Sequence, residues 1–153
     1  MKMRGTAILL VLLTVLALGC APAIPRLGES RSNPLPAGST VTYNDEEVRV
    51  LNVEKTQYSD YQDVKITIQW RNLGSPDESE YVSAYDFALV GEKGKIYEHT
   101  LFIGEFEEGH FPPGDYFGGV TITGTVRLMV DLDDTDFIMI WNSDGKKFYL
   151  ELE

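Results

Sequence analysis

Residues 64–72 read V-K-I-T-I-Q-W-R-N, and this stretch constrains the fold more than any other. Val64, Ile66, Ile68 and Trp70 occupy every second position, with Lys65, Thr67, Gln69 and Arg71 between them. A strand sends alternate side chains to opposite faces, so the segment has one apolar face and one wet face. That pattern suits a central antiparallel strand in a sheet covered on one side only. Asn72-Leu73-Gly74-Ser75-Pro76 then ends it with turn-forming residues.

Other short apolar alternations follow one another along the chain. Residues 40–43 and 47–55 are separated by Asn44-Asp45, a turn-prone pair. In the second of these segments Val48 and Val50 share one parity, whereas Leu51 and Val53 share the other. This switch predicts a bulge, or a strand that bends from one sheet to the next. Tyr85, Phe87 and Leu89 alternate, and Gly91-Glu92-Lys93-Gly94 turns the chain into a short strand at 95–97. Residues 98–116 read as a long irregular loop. Residues 119–130 alternate again, with Val120, Ile122, Val126 and Leu128 expected inside. Strands at 137–141 and 147–152 are joined by Asn142-Ser143-Asp144-Gly145, a strong hairpin pattern, and the last alternates to the end of the chain. Seven or eight short strands, with no amphipathic helix, predict an all-β chain folded as an immunoglobulin-like antiparallel β-sandwich. The sandwich is expected over residues 40–153.

The first 39 residues differ in kind. Met1 to Arg4 is a short basic start, and residues 7–18 are an apolar run interrupted only by Thr14. A membrane-spanning helix needs about 20 apolar residues, so this run suits the core of a signal peptide, assigned to residues 1–19. Leu16-Ala17-Leu18-Gly19-Cys20 closes it and resembles the bacterial lipobox, in which the cysteine is lipidated and becomes the new N-terminus. That resemblance implies a lipid-anchored (palmitoylated) protein on the outer face of the cell membrane. Ala17 departs from the usual Leu, and the alternative is a plain signal peptide that releases a secreted domain. Residues 21–39 contain Pro22, Pro25, Pro34 and Pro36 and lack a periodic apolar face, as expected of a tether that holds the domain off the membrane.

Charge narrows the set of partners. Of 13 basic side chains Lys2 and Arg4 precede Cys20, while all 24 acids follow it, so the chain from Cys20 onward carries −13. Nucleic-acid binding relies on Lys and Arg neutralising phosphates and is therefore not expected. A basic protein surface in the envelope or outside the cell is the favoured partner.

Several segments of the folded part resemble a known family. Pro36-Ala37-Gly38-Ser39-Thr40-Val41, the strand ending in Arg71-Asn72, Ser83-Ala84-Tyr85-Asp86-Phe87, and Pro113-Gly114 leading into residues 119–130 are similar to the telokin-like domain of unknown function found in many prokaryotic lipoproteins. The resemblance spans residues 38–152 and extends to the immunoglobulin-like fold of immunoprotective extracellular antigens. It implies a sandwich outside the membrane and carries over no catalytic residue. The chain departs from it in an acidic insertion around residues 104–110 and in the Tyr-rich loop after Lys55.

The residues themselves offer little for catalysis. His99 and His110 are the only histidines, neither lies in a nucleophile or metal motif, and Cys20 has no partner cysteine. No enzymatic activity and no cofactor are expected. Two binding loops stand out instead. Residues 56–63 mix Tyr58 and Tyr61 with Ser, Asp and Gln, a composition suited to recognition. Residues 98–116 add Phe102, Phe106 and Phe111. The alternative is a calcium-dependent envelope protein, because Asp131, Asp133, Asp134 and Asp136 crowd one turn and Ca2+ takes several oxygen ligands. Glu105, Glu107 and Glu108 form a second acidic group.

Overall fold

A computed structural model describes residues 26–99 and 109–153. Ten strands are present among them: β1 (Thr40–Tyr43), β2 (Glu46–Gln57), β3 (Gln62–Asn72), β4 (Ser79–Val82), β5 (Phe87–Val90), β6 (Ile96–Glu98), β7 (Gly114–Phe117), β8 (Thr121–Val130), β9 (Ile138–Ser143) and β10 (Lys146–Glu151). Eight form two antiparallel four-stranded sheets, ordered β1-β2-β3-β8 and β10-β9-β5-β6. Strands β4 and β7 pair as a separate two-stranded ribbon. The fold is the expected all-β, immunoglobulin-like antiparallel β-sandwich.

The alternation in β3 explains the layering. Val64, Ile66, Ile68 and Trp70 are fully buried and meet Phe87, Leu89, Met139 and Trp141 of the opposite sheet in one core. Each such side chain contributes about 1.5–3 kcal/mol by leaving water, so this face largely specifies the register of β3. The parity switch in β2 is a bulge. Pairing with β3 slips between Val50 and Asn52, leaving Leu51 exposed and returning Val53 to the interior side. Both short hairpins use the turns that their sequences encode. Asn44 and Asp45 have φ of 46° and 62°, and Asp144 and Gly145 have 49° and 76°. Two consecutive positive φ values match the twist of the flanking strands, and Asn, Asp and Gly tolerate them best.

The structure corrects four expectations. Tyr85 does not continue β5: residues Ala84–Asp86 form a 3-10 turn, capped by Ser83, whose amide donates to Asp86 Oδ2 at 2.7 Å, and Tyr85 points outward. Val120 lies in the turn before β8 and is exposed, because Asn72 and Gly119 pair their backbones there. Residues 114–117 are a strand rather than loop. Finally, the proline-containing stretch does not hang free over its whole length. Leu35 bridges to Leu150 in parallel, and the amide of Tyr149 donates to the Gly28 carbonyl at 2.8 Å. Residues 28–35 therefore cover the outer edge of β10.

Candidate functional site

At one end of the sandwich lie the β2–β3 hairpin, the β5–β6 turn and the β8–β9 connection. Because β2 and β3 extend to Gln57 and Gln62, the Tyr-rich loop shrinks to residues 58–61. Tyr58 N donates to Tyr61 O at 2.9 Å, and the two rings stack with centroids 4.8 Å apart and planes 20° apart. Tyr58 is exposed and Tyr61 half-buried. Gln62 fixes the base of this tip: its Nε2 donates to the carbonyls of Leu132 at 3.0 Å and Asp134 at 3.4 Å. Through Gln62 the structure ties the base of the Tyr58–Tyr61 tip to the acidic turn. Cys20, Phe102, Phe106, Glu105, Glu107 and Glu108 lie outside the described residues.

Phe111 is not a contact residue. It is completely buried and meets Phe87 edge-on at 5.2 Å. Gly124 makes this possible, since a Cβ built there would overlap the Phe111 backbone. The segment at 109–111 then pairs with Thr125 beside β8. Gly124 was the available sequence signal, as a glycine in a strand marks close backbone approach.

The four aspartates of the acidic turn point to different partners. Asp131 pairs with Lys95 at 2.7 Å and Asp133 pairs with Lys93. Asp134 is buried and accepts the Tyr97 hydroxyl at 2.8 Å and the amides of Lys93 and Thr135, each at 3.1 Å. Burial pushes its carboxyl up, but these donors outweigh burial and hold it below the usual range. Burial, followed by the bond to Asp134, raises the Tyr97 phenol well above its ordinary value. Asp136 adopts a φ of 50° at the end of the turn. Among the described residues no group of three His, Cys, Asp or Glu side chains is placed to hold a metal ion.

A cleft of about 260 Å³ lies beside this end, lined by Lys55, Asp136, Phe137, Ile138, Glu151, Leu152 and Glu153. Lys55 already pairs with Glu153 at 2.7 Å across it. Elsewhere, His99 and His110 approach with centroids 5.3 Å apart, and His99 Nδ1 lies 3.2 Å from the Arg127 carbonyl. Burial, then the neighbouring His99, lowers the basicity of His110.

The opposite end carries a surface that the sequence did not reveal. In the β4–β7 ribbon Ser79 pairs with Phe117 and Tyr81 with Asp115, so Tyr81 and Phe117 are diagonal neighbours on one face. They are 61% and 57% exposed, among the most exposed large apolar side chains described. The other face turns inward: Val82 is buried, and Tyr116 packs near Trp70 and donates its hydroxyl to the Pro112 carbonyl at 3.0 Å. Asn72, fully buried, ties the ribbon to β3 by donating to the Tyr116 carbonyl at 2.8 Å.

No protein-family model and no curated protein matches the chain. Solved structures do match in fold. The yjhA protein of Bacillus subtilis superposes with a TM-score of 0.61 at 15% identity, covering 78% of this chain and 99% of that one. The lipoprotein candidate ycdA of the same organism gives 0.60 at 14% identity over 75% of this chain, which spans 39% of the ycdA chain. MPT63, a secreted protein of Mycobacterium tuberculosis, gives 0.59 at 14% identity, covering 77% and 97%. The chain is similar to these β-sandwich proteins in fold.

Proposed function

We propose that this chain is a lipid-anchored extracytoplasmic lipoprotein of the telokin-like type, and that its sandwich is a non-catalytic interaction module. Cys20 carries the anchor, and the domain meets a basic envelope or extracellular protein. The observation that carries the reading is the Tyr58–Tyr61 stack. Two aromatic rings are held together at an exposed hairpin tip whose base is bonded to a neighbouring turn, so little side-chain freedom remains to be lost on contact. Asp60 lies within the tip, and the chain as a whole carries a net charge of −11, which favours a basic partner. The fold neighbours ycdA, a lipoprotein candidate, and MPT63, a secreted protein, support an address outside the cytoplasm. The non-catalytic reading is supported by the buried carboxylates Glu46, Asp63 and Asp134, each of which is engaged by donors within the fold.

Chemical cross-linking of the full-length protein in its own membranes tests this reading. A discrete partner should be captured, should be lost with Cys20→Ala, and should weaken when Tyr58 and Tyr61 are both replaced by alanine. Capture that survives both changes overturns the reading.

A further inference from the structure

The β4–β7 ribbon presents a second surface, at the end of the sandwich remote from the Tyr58–Tyr61 tip. Tyr81 and Phe117 share its outer face with Asp115, while Leu73 and Val120, each 38% exposed, lie at its root, where Asn72 N donates to Val120 O. Aromatic side chains are enriched at protein interfaces relative to the rest of the surface. Among the described residues neither β4 nor β7 pairs with a third strand, and since Asn72 holds the Tyr116 carbonyl on the β7 side, it is the β4 edge that offers backbone groups beside the rings.

The surrounding charge is of one sign. Asp77, Glu78, Glu80 and Asp115 belong to or adjoin the two strands. No Lys or Arg occurs between Arg71 and Lys93, or between Lys95 and Arg127. A second copy of the chain would bring four more acids against these four, and an anionic lipid surface would be repelled in the same way. A cationic chain matches both components, since Lys and Arg are attracted to aromatic faces as well as to carboxylates. The protein uses this contact internally, where Lys146 Nζ sits 4.9 Å from the Tyr43 ring centroid.

We infer that the Tyr81–Phe117 face of the β4–β7 ribbon binds an extended cationic segment of another protein. The segment lies along the free edge of β4 as an added strand, with alternate Lys or Arg side chains over the two rings and beside Asp115. This surface does not depend on the Tyr58–Tyr61 tip, and the two readings can fail separately.

The test titrates full-length protein in zwitterionic detergent with a fluorescent peptide of about nine residues alternating Lys and Thr, long enough to line a short strand. Glu replaces Lys in the control peptide. Binding of the Lys peptide alone is expected. It should fall about tenfold with Phe117→Ser, and fall again between about 0.1 M and 1 M salt as the screening length shrinks. It should be unchanged with Leu51→Ser, an exposed residue at the β2 bulge outside both surfaces. If Phe117→Ser does not fold, as judged by its melting curve, Asp115→Asn replaces it and should weaken binding severalfold. Absence of binding, equal binding of the Glu peptide, binding undiminished by the ribbon variant, equal loss with Leu51→Ser, or a concentration-dependent dimer abolished by the ribbon variant would each overturn the inference.

Discussion

Glu46 of one sheet accepts the hydroxyl of Ser143 from the other, and the same carboxylate accepts the Trp70 indole N–H at 2.8 Å. All three side chains are buried. At the same end Asn44 Nδ2 donates to Asp144 at 3.1 Å, so the β1–β2 and β9–β10 turns are joined twice. Apolar packing holds the layers face to face, whereas these polar contacts oppose their sliding.

Burial raises the Glu46 carboxyl above its ordinary value, against the bonds from Ser143 and Trp70, with Glu80 and Asp144 adding to the rise. A carboxyl whose folded value is raised contributes stability that is fully present below its unfolded value and is lost as pH rises through the folded one. Glu46→Gln keeps a polar partner for both donors and removes the titration. Denaturant unfolding should therefore show the variant gaining on the wild type as pH rises above the ordinary carboxylate range. Glu46→Ala leaves both donors without their acceptor and should cost about 1–3 kcal/mol. A pH-independent difference between wild type and Glu46→Gln would contradict this account.

Gly124→Ala should be among the most damaging single-methyl additions in the chain. The new Cβ would overlap the backbone of Phe111, which cannot retreat without pulling its ring from Phe87. A loss of about 3–5 kcal/mol is expected by overpacking and displaced backbone. Thermal melting of the variant measures it, and a near-wild-type midpoint would mean that the 109–111 segment is not seated on β8.

Gly91→Ala tests the acidic turn in the same manner, because its Cβ would overlap the Asp134 carboxylate. Asp134→Asn removes charge but little volume and should cost about 2 kcal/mol near neutral pH, through weakened bonds to Tyr97 and two amides. The folded carboxyl is held low, so this contribution is present above the unfolded value and is lost as pH falls through the folded one. The cost of the substitution should therefore shrink in acid.

Calcium addition and EDTA should leave the melting temperature of the full-length protein unchanged. Lys95 and Lys93 already neutralise Asp131 and Asp133, and Asp134 faces protein donors. A ligand that binds only the folded state raises its stability, so a calcium-dependent rise of several degrees would place a cation in this turn.

Asp63 and Arg127 form a fifth test. The Asp63 side chain is 1% exposed and pairs with Arg127 Nε at 2.7 Å. Arg127→Ala should cost about 3 kcal/mol by stranding a buried carboxylate, and Asp63→Ala made in addition should restore part of that loss. Strict additivity in the double-mutant cycle would show that the pair is not coupled.

The parts of the fold legible in the sequence are those in which local chemistry and tertiary demand agree. Strand β3 alternates because one face is core, Asn44-Asp45 and Asp144-Gly145 supply positive φ, and the parity switch at Val50 is a bulge. Strands β4 and β7 were illegible because each is four residues long and exists through pairing with the other. Phe111 was misplaced for a related reason: its burial depends on a glycine thirteen positions later on another strand. The Tyr58–Tyr61 tip was readable in composition, but its compactness was not, since that follows from how far β2 and β3 extend. Nothing in the local pattern around Tyr81 or Phe117 distinguishes an exposed aromatic from a buried one.

The docking of residues 28–35 on β10 changes the length of the leash. If Cys20 is the anchor and Gly28 the first residue bonded to the sheet, about eight residues separate them, a fully extended reach of at most about 28 Å. That is comparable to the thickness of a bilayer core. A domain so moored would sweep a shallow layer above the lipid, with its β10 side toward the attachment. Partners would then have to come to the membrane surface to be met, and lengthening the stretch between Cys20 and Gly28 would widen the layer without altering the domain.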